Sequence, residues 1–275
     1  MSPGDNISAT AHYTGEVWRR AGLSHPWLGT REGRVMVEAL HPLMATSGAL
    51  GGPSLETYLL ARHRAIDALL EEAVERDGIT QVIEVAAGMS ARGWRFANRY
   101  GGRLTYLEAD LPAMAARKRQ ALERIGSLSD SHRVLEIDAL RTDGPGSLAE
   151  LAVELEPDAG VAIVTEGLLG YLPSDAVLAL WARFAQVLAA FPVGRYISDV
   201  HLGNVQTPAV RLFRRLLGAF VRGRVYLHFH SADEAEAALL DAGFRSAAVR
   251  RAGDMVGLPR AQQRSAAHIL EASTN

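Results

Sequence analysis

The sequence predicts an α/β fold: a seven-stranded, mostly parallel sheet with helices on both faces and a helical cap at the N-terminus. Three observations carry this. From residue 55 to about residue 200, short apolar runs alternate with amphipathic segments, the pattern of strands joined by crossover helices. The run Gln81-Val82-Ile83-Glu84-Val85-Ala86-Ala87-Gly88-Met89-Ser90 reads as a buried strand entering a turn of small residues. About twenty residues on, Tyr106-Leu107-Glu108-Ala109-Asp110 reads as a second strand that ends in acids.

The elements follow in order. Residues 8–30, rich in aromatics (Tyr13, Trp18, Trp27), predict one or two short helices broken by Gly22 and Pro26. A Gly/Ser/Pro cluster from Ser47 to Ser54 predicts a loop. Residues 55–77 place Leu59, Ile66, Leu69, Leu70 and Val74 at helical spacing. Strands are expected near 81–86, 103–108, 133–137, 160–166 and 195–200, with helices near 91–100, 112–125, 147–155 and 174–191. Beyond Asp199 the pattern changes. Residues 206–222 are amphipathic and basic, 232–242 are helical, and strands near 245–251 and 264–271 close the sheet side by side. Residues 1–54 are thus expected to form a cap or lid, and 55–275 a nucleoside-binding domain with a substrate-covering insert at about 201–230.

Composition narrows the function. The chain has 275 residues, 48% of them hydrophobic, enough for one large α/β domain with additions or for two small ones. A net charge of −2 gives no electrostatic case for nucleic acid or an anionic membrane. Cysteine is absent, so disulfides, thiolate metal sites and cysteine nucleophiles are excluded, which fits a reducing cytoplasm. No signal-peptide pattern opens the chain, and runs such as 160–166 are too short to span a bilayer. The expected partner is a small molecule.

A strand, a tight turn, a helix and a second strand ending in an acid form half of a Rossmann-like nucleoside site. A dinucleotide site wants G-x-G-x-x-G so that pyrophosphate can rest on bare backbone. Here Ala86 holds the first glycine's place and only Gly88 remains. A turn that need not hold phosphate favours an uncharged adenosine with an amino-acid tail, S-adenosylmethionine (SAM).

Further motifs carry a family resemblance. They are Thr10-Ala11-His12-Tyr13-Thr14-Gly15 with Trp18, Tyr58-Leu59-Leu60-Ala61-Arg62, the Ala86–Ser90 turn, and Glu108-Ala109-Asp110-Leu111-Pro112 with Arg117-Lys118-Arg119. Ile137-Asp138-Ala139-Leu140 and Thr165-Glu166-Gly167-Leu168-Leu169-Gly170-Tyr171-Leu172 complete them. Over roughly residues 8–200 the chain resembles the leucine carboxyl methyltransferase family, in particular its bacterial branch of polyketide carboxyl O-methyltransferases. The resemblance implies a Rossmann-like class I methyltransferase that uses SAM. It implies that Arg62 grips the carboxylate of the methionine tail, where a guanidinium can act bidentately; the alternative is a solvated helix residue or a partner of Glu56. Asp110 matches the ribose acid, with Glu108 two residues earlier on the same strand face, and which of the two acts stays open. Asp138 and Ala139 match the pair that brackets adenine; a turn or cap aspartate is the alternative. Glu166 matches a glutamate near the tail's amino group. Glu84, inside the first strand, could hold that ammonium or the turn's amides. The family's turn reads Gly-Ala-Gly-x-Asp-x-Arg. Here Ala86 replaces the first glycine and Ser90 the aspartate, while Arg92 is kept. Ala86 is tolerable if its backbone is in an ordinary region.

No metal site is expected, because the histidines His201, His228 and His230 lack a third ligand at convincing spacing. Candidate catalytic groups are Tyr13, Tyr171, His201 and His228. The acceptor pocket is expected from Tyr13, Trp18, Tyr171, His201, Phe213, Phe220 and Tyr226, over the sheet's carboxyl rim. The basic run Arg211, Arg214, Arg215, Arg222 and Arg224 reads as a solvated face able to steer an acidic acceptor. The sequence thus points to O-methylation, of a carboxylate first and a phenol or hydroxyl second, on a small hydrophobic acceptor. A nicotinamide-dependent oxidoreductase and a non-catalytic SAM-binding protein are the alternatives from other classes.

Overall fold

A computed structural model describes residues 3–39, 54–203, 226–255 and 257–275. The expected loop at 47–53, the basic helix at 206–222 with Phe213 and Phe220, and the arginines from Arg211 to Arg224 lie outside the described residues. The N-terminal part is helical, as expected, though its first helix is longer. Helix α1 (Pro3–Arg20) ends before Gly22, whose φ of +73° suits glycine, and Pro26 then opens a 3-10 turn, Pro26–Leu28. Helix α2 covers residues 31–39. Helix α3 (Leu55–Arg76) is capped by Ser54, whose hydroxyl accepts the Thr57 N–H at 3.1 Å.

The sheet follows: β1 (Ile79–Val85), α4 (Arg92–Tyr100), β2 (Thr105–Asp110), α5 (Pro112–Ile125), β3 (His132–Glu136), α6 (Leu148–Val153), β4 (Gly160–Thr165), α7 (Ser174–Leu188) and β5 (Gly194–Val200). Helix α8 (Ala232–Asp241), β6 (Ser246–Arg251) and β7 (His268–Ser273) close it. Strand order is β3-β2-β1-β4-β5-β7-β6, parallel except for β7, which runs antiparallel to both β5 and β6. The expected closing pair is therefore present. Its last strand starts at His268 rather than 264, because Ser265 still belongs to a turn, donating its N–H to the Gln262 carbonyl.

Alternation along the strands feeds two apolar layers. One face carries Ile83, Leu107, Ile163 and Tyr196 against Trp181 and Phe184 of α7 and Leu239 of α8. The other carries Val82, Tyr106, Val164 and Ile197 against Ile66 and Leu70 of α3 and Phe96 of α4. β4 is buried along its whole length, as a central parallel strand covered on both sides must be. Strand order reverses between β1 and β4, so the carboxyl ends of these two strands flank the crevice where open α/β sheets take ligands. Among the described residues no helix is long and apolar enough to cross a membrane.

Candidate functional site

The turn after β1 is left-handed at two points. Gly88 has φ +51° and Ala86 φ +56°, the one described non-glycine residue with positive φ. The condition under which alanine would be tolerated without cost at position 86, ordinary backbone, is therefore not met: alanine holds the glycine conformation, at a strain of about 1–2 kcal/mol. Asp110, at the end of β2, reaches across and accepts the Gly88 N–H at 2.7 Å on one oxygen and the Leu111 N–H at 2.8 Å on the other. Burial raises the Asp110 carboxyl above its usual range, partly offset by those two N–H groups. From below, the buried Lys118 ammonium donates to the Ala87 carbonyl. From above, α1 lies close against the turn. A Cβ added at Gly15 would stand 3.2 Å from Met89 Cβ, and one at Gly88 3.2 Å from Ala11 Cβ. Ser90, in place of the family's aspartate, accepts the Arg92 N–H at the start of α4.

Beside the turn, at the β1/β4 crevice, lies a buried charge cluster. Arg62 donates from Nε to Glu166 Oε1 at 2.9 Å and from Nη1 to Asp199 Oδ2 at 3.3 Å, so neither the solvated reading nor pairing with Glu56 holds. Asp199 also accepts the Gly167 N–H at 2.6 Å, which ties β5 to the loop after β4. Arg62 Nη2 makes no hydrogen bond among the described residues, and a Cβ added at Gly167 would come within 3.4 Å of it. Glu166 Oε2 is shared by His63 Nδ1 at 2.8 Å and Arg92 Nη2 at 2.5 Å. Arg92 further donates to Asp67 Oδ1 at 2.6 Å and Glu84 Oε1 at 2.5 Å. Burial alone would raise the Glu166 carboxyl, but His63, Arg62 and Arg92 hold it well below the usual carboxylate range. The Trp18 ring lies 4.4 Å from His63, and its buried indole N–H has no acceptor among the described residues.

Several expected ligands prove to be internal. Glu84 is spent on Arg92 and on the Tyr106 hydroxyl at 2.8 Å, and no hydrogen bond joins it to the turn's amides. Glu108 turns under α4, where it is fully buried in a triad with the Lys118 ammonium and with His132 Nε2 at 2.8 Å. Burial would raise its pKa, but Lys118 and His132 lower it. Of the two acids on β2, therefore, only Asp110 stands at the rim. Asp138 and Ala139 lie half-buried after β3, with Asp138 Oδ1 accepting the Leu140 N–H at 3.0 Å in a tight turn.

The catalytic candidates separate too. Tyr13 packs with Val17, Val37 and Leu59 between the N-terminal helices, and burial pushes its hydroxyl up to about 12. His228 is held at both ring nitrogens, by Ser174 Oγ at 3.0 Å and the Leu169 carbonyl at 2.9 Å. Tyr171 ends the 3-10 turn Leu169–Tyr171, and the Tyr226 N–H donates to the Gly170 carbonyl of that turn. His201, just past β5, pairs with the Tyr58 hydroxyl at 3.0 Å, one helical turn before Arg62. Among the described residues there is no group able to hold a metal ion. The sequence reading missed His63, Asp67, Asp199 and Tyr58. His63 and Asp67 were findable: they share with Arg62 and Ile66 the inward face of an otherwise regular helix.

Comparisons with known proteins bear on the family and the fold. A Streptomyces coelicolor protein, provisionally named as an S-adenosyl-L-methionine-dependent methyltransferase, is 36% identical over 132 residues, covering 48% of this chain and 45% of the relative. The chain spans about half the length of the curated relatives it matches. Among solved structures, a DUF574 family protein from Streptomyces avermitilis superposes with a TM-score of 0.67 at 12% identity, covering 97% of both chains. Human N-acetylserotonin methyltransferase in complex with SAM superposes with a TM-score of 0.51 at 14% identity, covering 76% of this chain and 50% of that one. These likenesses carry the fold alone. The family model for leucine carboxyl methyltransferase matches residues 29–185, more than half of the sequence, and the chain belongs to that family.

Proposed function

We propose that this chain is a SAM-dependent O-methyltransferase whose acceptor is a carboxylate on a small hydrophobic molecule. The observation that carries the reading is Arg62: a buried cation at the crevice between β1 and β4, fixed by Glu166 and Asp199, with Nη2 left toward side-chain-free Gly167. That is a carboxylate seat at the place where this fold takes ligands. The other residues present fit the same cofactor. The left-handed turn at Ala86 and Gly88 keeps side chains off the crevice, and Asp110 offers remaining lone pairs for ribose hydroxyls. Asp138 and Ala139 follow Ile137, whose N–H donates to the Asp110 carbonyl, on the side where an adenine would extend from a ribose at Asp110, and the unpartnered Trp18 N–H is a further donor beside the cluster. A nicotinamide dinucleotide fits poorly, because the Asp110 carboxylate already occupies the Gly88 amide that a pyrophosphate would need.

The cofactor supplies an electrophilic methyl group on a good leaving group. The chain's part is to orient, exclude water and balance charge. Arg62 fixes the tail, Asp110 the ribose, and α1 with Trp18 covers the crevice. A carboxylate acceptor is already ionised at neutral pH, so no base is needed, and proximity with desolvation supplies the acceleration. A hydroxyl acceptor is the second reading, favoured by the Tyr58–His201 pair, which could pass a proton from the acceptor to imidazole.

The test is product chemistry. Radiolabelled methyl transfer to a panel of hydrophobic carboxylic acids and phenols should yield an alkali-labile ester, with a rate nearly flat from about pH 6 to 9. S-adenosylhomocysteine (SAH) should raise the melting temperature and NADH should not. An alkali-stable ether with a rate rising through neutral pH would move the assignment to the hydroxyl reading. Stabilisation by NADH but not by SAH would overturn the cofactor.

A further inference from the structure

We infer that the Trp18 indole N–H is the second donor of the carboxylate seat and completes, with Arg62, the grip on the cofactor's methionine tail. The inference deepens the cofactor reading above and rests on it. Trp18 is 6% exposed, and its Nε1 has no hydrogen-bond partner among the described residues. Buried polar groups are nearly always paired, so a lone donor beside a binding crevice asks for a ligand.

Helix α1 decides where that donor stands. Ala11, Gly15 and Trp18 are spaced i, i+4 and i+7, so they share one face of the helix. Ala11 lies against Gly88 and Gly15 against Met89, which puts this face over the turn after β1. Trp18 comes next along it, 4.4 Å from the His63 ring with the two planes tilted by 31°. His63 and Arg62 are consecutive on α3 and share one carboxylate: His63 Nδ1 is 2.8 Å from Glu166 Oε2, and Arg62 Nε is 2.9 Å from Oε1. Small side chains thus keep the roof of the turn open, and the indole closes the corner that Arg62 occupies from α3.

The tail's chemistry calls for two donors. A carboxylate presents two oxygens, each able to accept hydrogen bonds. With Nε given to Glu166 and Nη1 to Asp199, Arg62 meets an incoming carboxylate through Nη2, on one oxygen. The other oxygen needs a donor from a different element. An indole N–H supplies it without bringing a further charge into a corner already filled with ion pairs.

The experiment is calorimetric titration of the full chain with SAH and with decarboxylated SAH, which keeps the adenosine, thioether and ammonium and lacks only the carboxylate. The wild-type protein should favour SAH. Trp18→Phe keeps an aromatic ring against His63 and removes the N–H. It should weaken SAH about tenfold and leave the decarboxylated ligand within about twofold. Trp27→Phe, at an exposed ring, should change neither. Equal weakening of both ligands by Trp18→Phe, or of neither, overturns the inference and leaves the cofactor reading standing. Equal affinity of the wild-type protein for the two ligands overturns the carboxylate seat together with the inference. Should Trp18→Phe not fold, nuclear magnetic resonance of wild-type protein with isotope-labelled indole nitrogens at its four tryptophans decides. The Trp18 indole proton, assigned with single Phe variants of Trp27, Trp94 and Trp181, should move downfield with SAH and hold its place with the decarboxylated ligand. The same shift with both, or a shift with neither, overturns the inference. Absence of binding by either ligand overturns the cofactor reading and this inference together.

Discussion

Arg62→Ala should cost fold stability as well as cofactor binding. The substitution deletes the cation that Glu166 and Asp199 share, at 2.9 and 3.3 Å. Glu166 would keep His63 and Arg92, but Asp199, 2% exposed, would keep from this set only the Gly167 N–H. Removing one partner of a buried ion pair costs about 3–5 kcal/mol. Because half of the cluster remains compensated, the lower end applies, about 3 kcal/mol. At about 2–4 °C per kcal/mol for a chain of this size, the melting temperature should fall by about 6–12 °C. Urea unfolding followed by circular dichroism measures the loss. Adding Asp199→Asn should recover part of it, since an amide leaves no buried charge. Acidification should narrow the gap to wild type, because an orphaned carboxylate takes up a proton more readily in the folded state than a paired one. Below the midpoint, SAH affinity should still drop at least about tenfold, and Arg62→Lys should restore only part, since an ammonium cannot fork. An Arg62→Ala variant within about 1 kcal/mol of wild type would refute the buried-pair argument.

Other substitutions follow from the same geometry. Ala86→Gly should stabilise the protein by about 0.5–1 kcal/mol, relief of left-handed strain exceeding the extra entropy of an unfolded glycine, whereas Ala86→Val should cost about 2 kcal/mol or more; chemical denaturation would read both. The two acids of β2 should part company. Asp110→Asn should weaken SAH binding about tenfold with the fold kept, while Glu108→Gln, which strands the buried Lys118 ammonium, should lower the melting temperature first. Glu166, Asp67 and Glu108 have folded pKa values held below their unfolded ones. The stability they contribute is therefore present above about pH 4.5 and lost as pH falls further, with Asp110, shifted the other way, opposing the trend. Stepwise acid unfolding should show net loss beginning below that pH.

Local periodicity and turn chemistry were enough to place nearly every strand and crossover helix, since burial on two faces forces a nearly continuous apolar run in β4, and Gly126 and Pro112 mark where α5 ends and begins. The same reading located the crevice, because Ala86–Ser90, Asp110 and Glu166 each follow a recognisable strand. Which carboxylates face it was beyond sequence. Glu108 and Asp110 share a strand face, yet one turn of α4 over Gly93 covers Glu108 and leaves Asp110 at the open end; a Cβ at Gly93 would collide with the Glu108 carboxylate. Likewise, the sequence favoured Arg62 as a ligand and left a surface residue as the alternative until α3 and β5 met. Residue 199 is 137 positions away, and nothing in the spacing of Arg62 and Asp199 records that their side chains touch. Partner choice among buried charges is a property of three-dimensional packing, where the cost of an unpaired ion selects whichever opposite charge the fold brings within reach. The left-handed backbone at Ala86 has the same origin: alanine alone prefers right-handed or extended backbone, and the Gly88–Asp110 bond with α1 packed above holds the turn where it is.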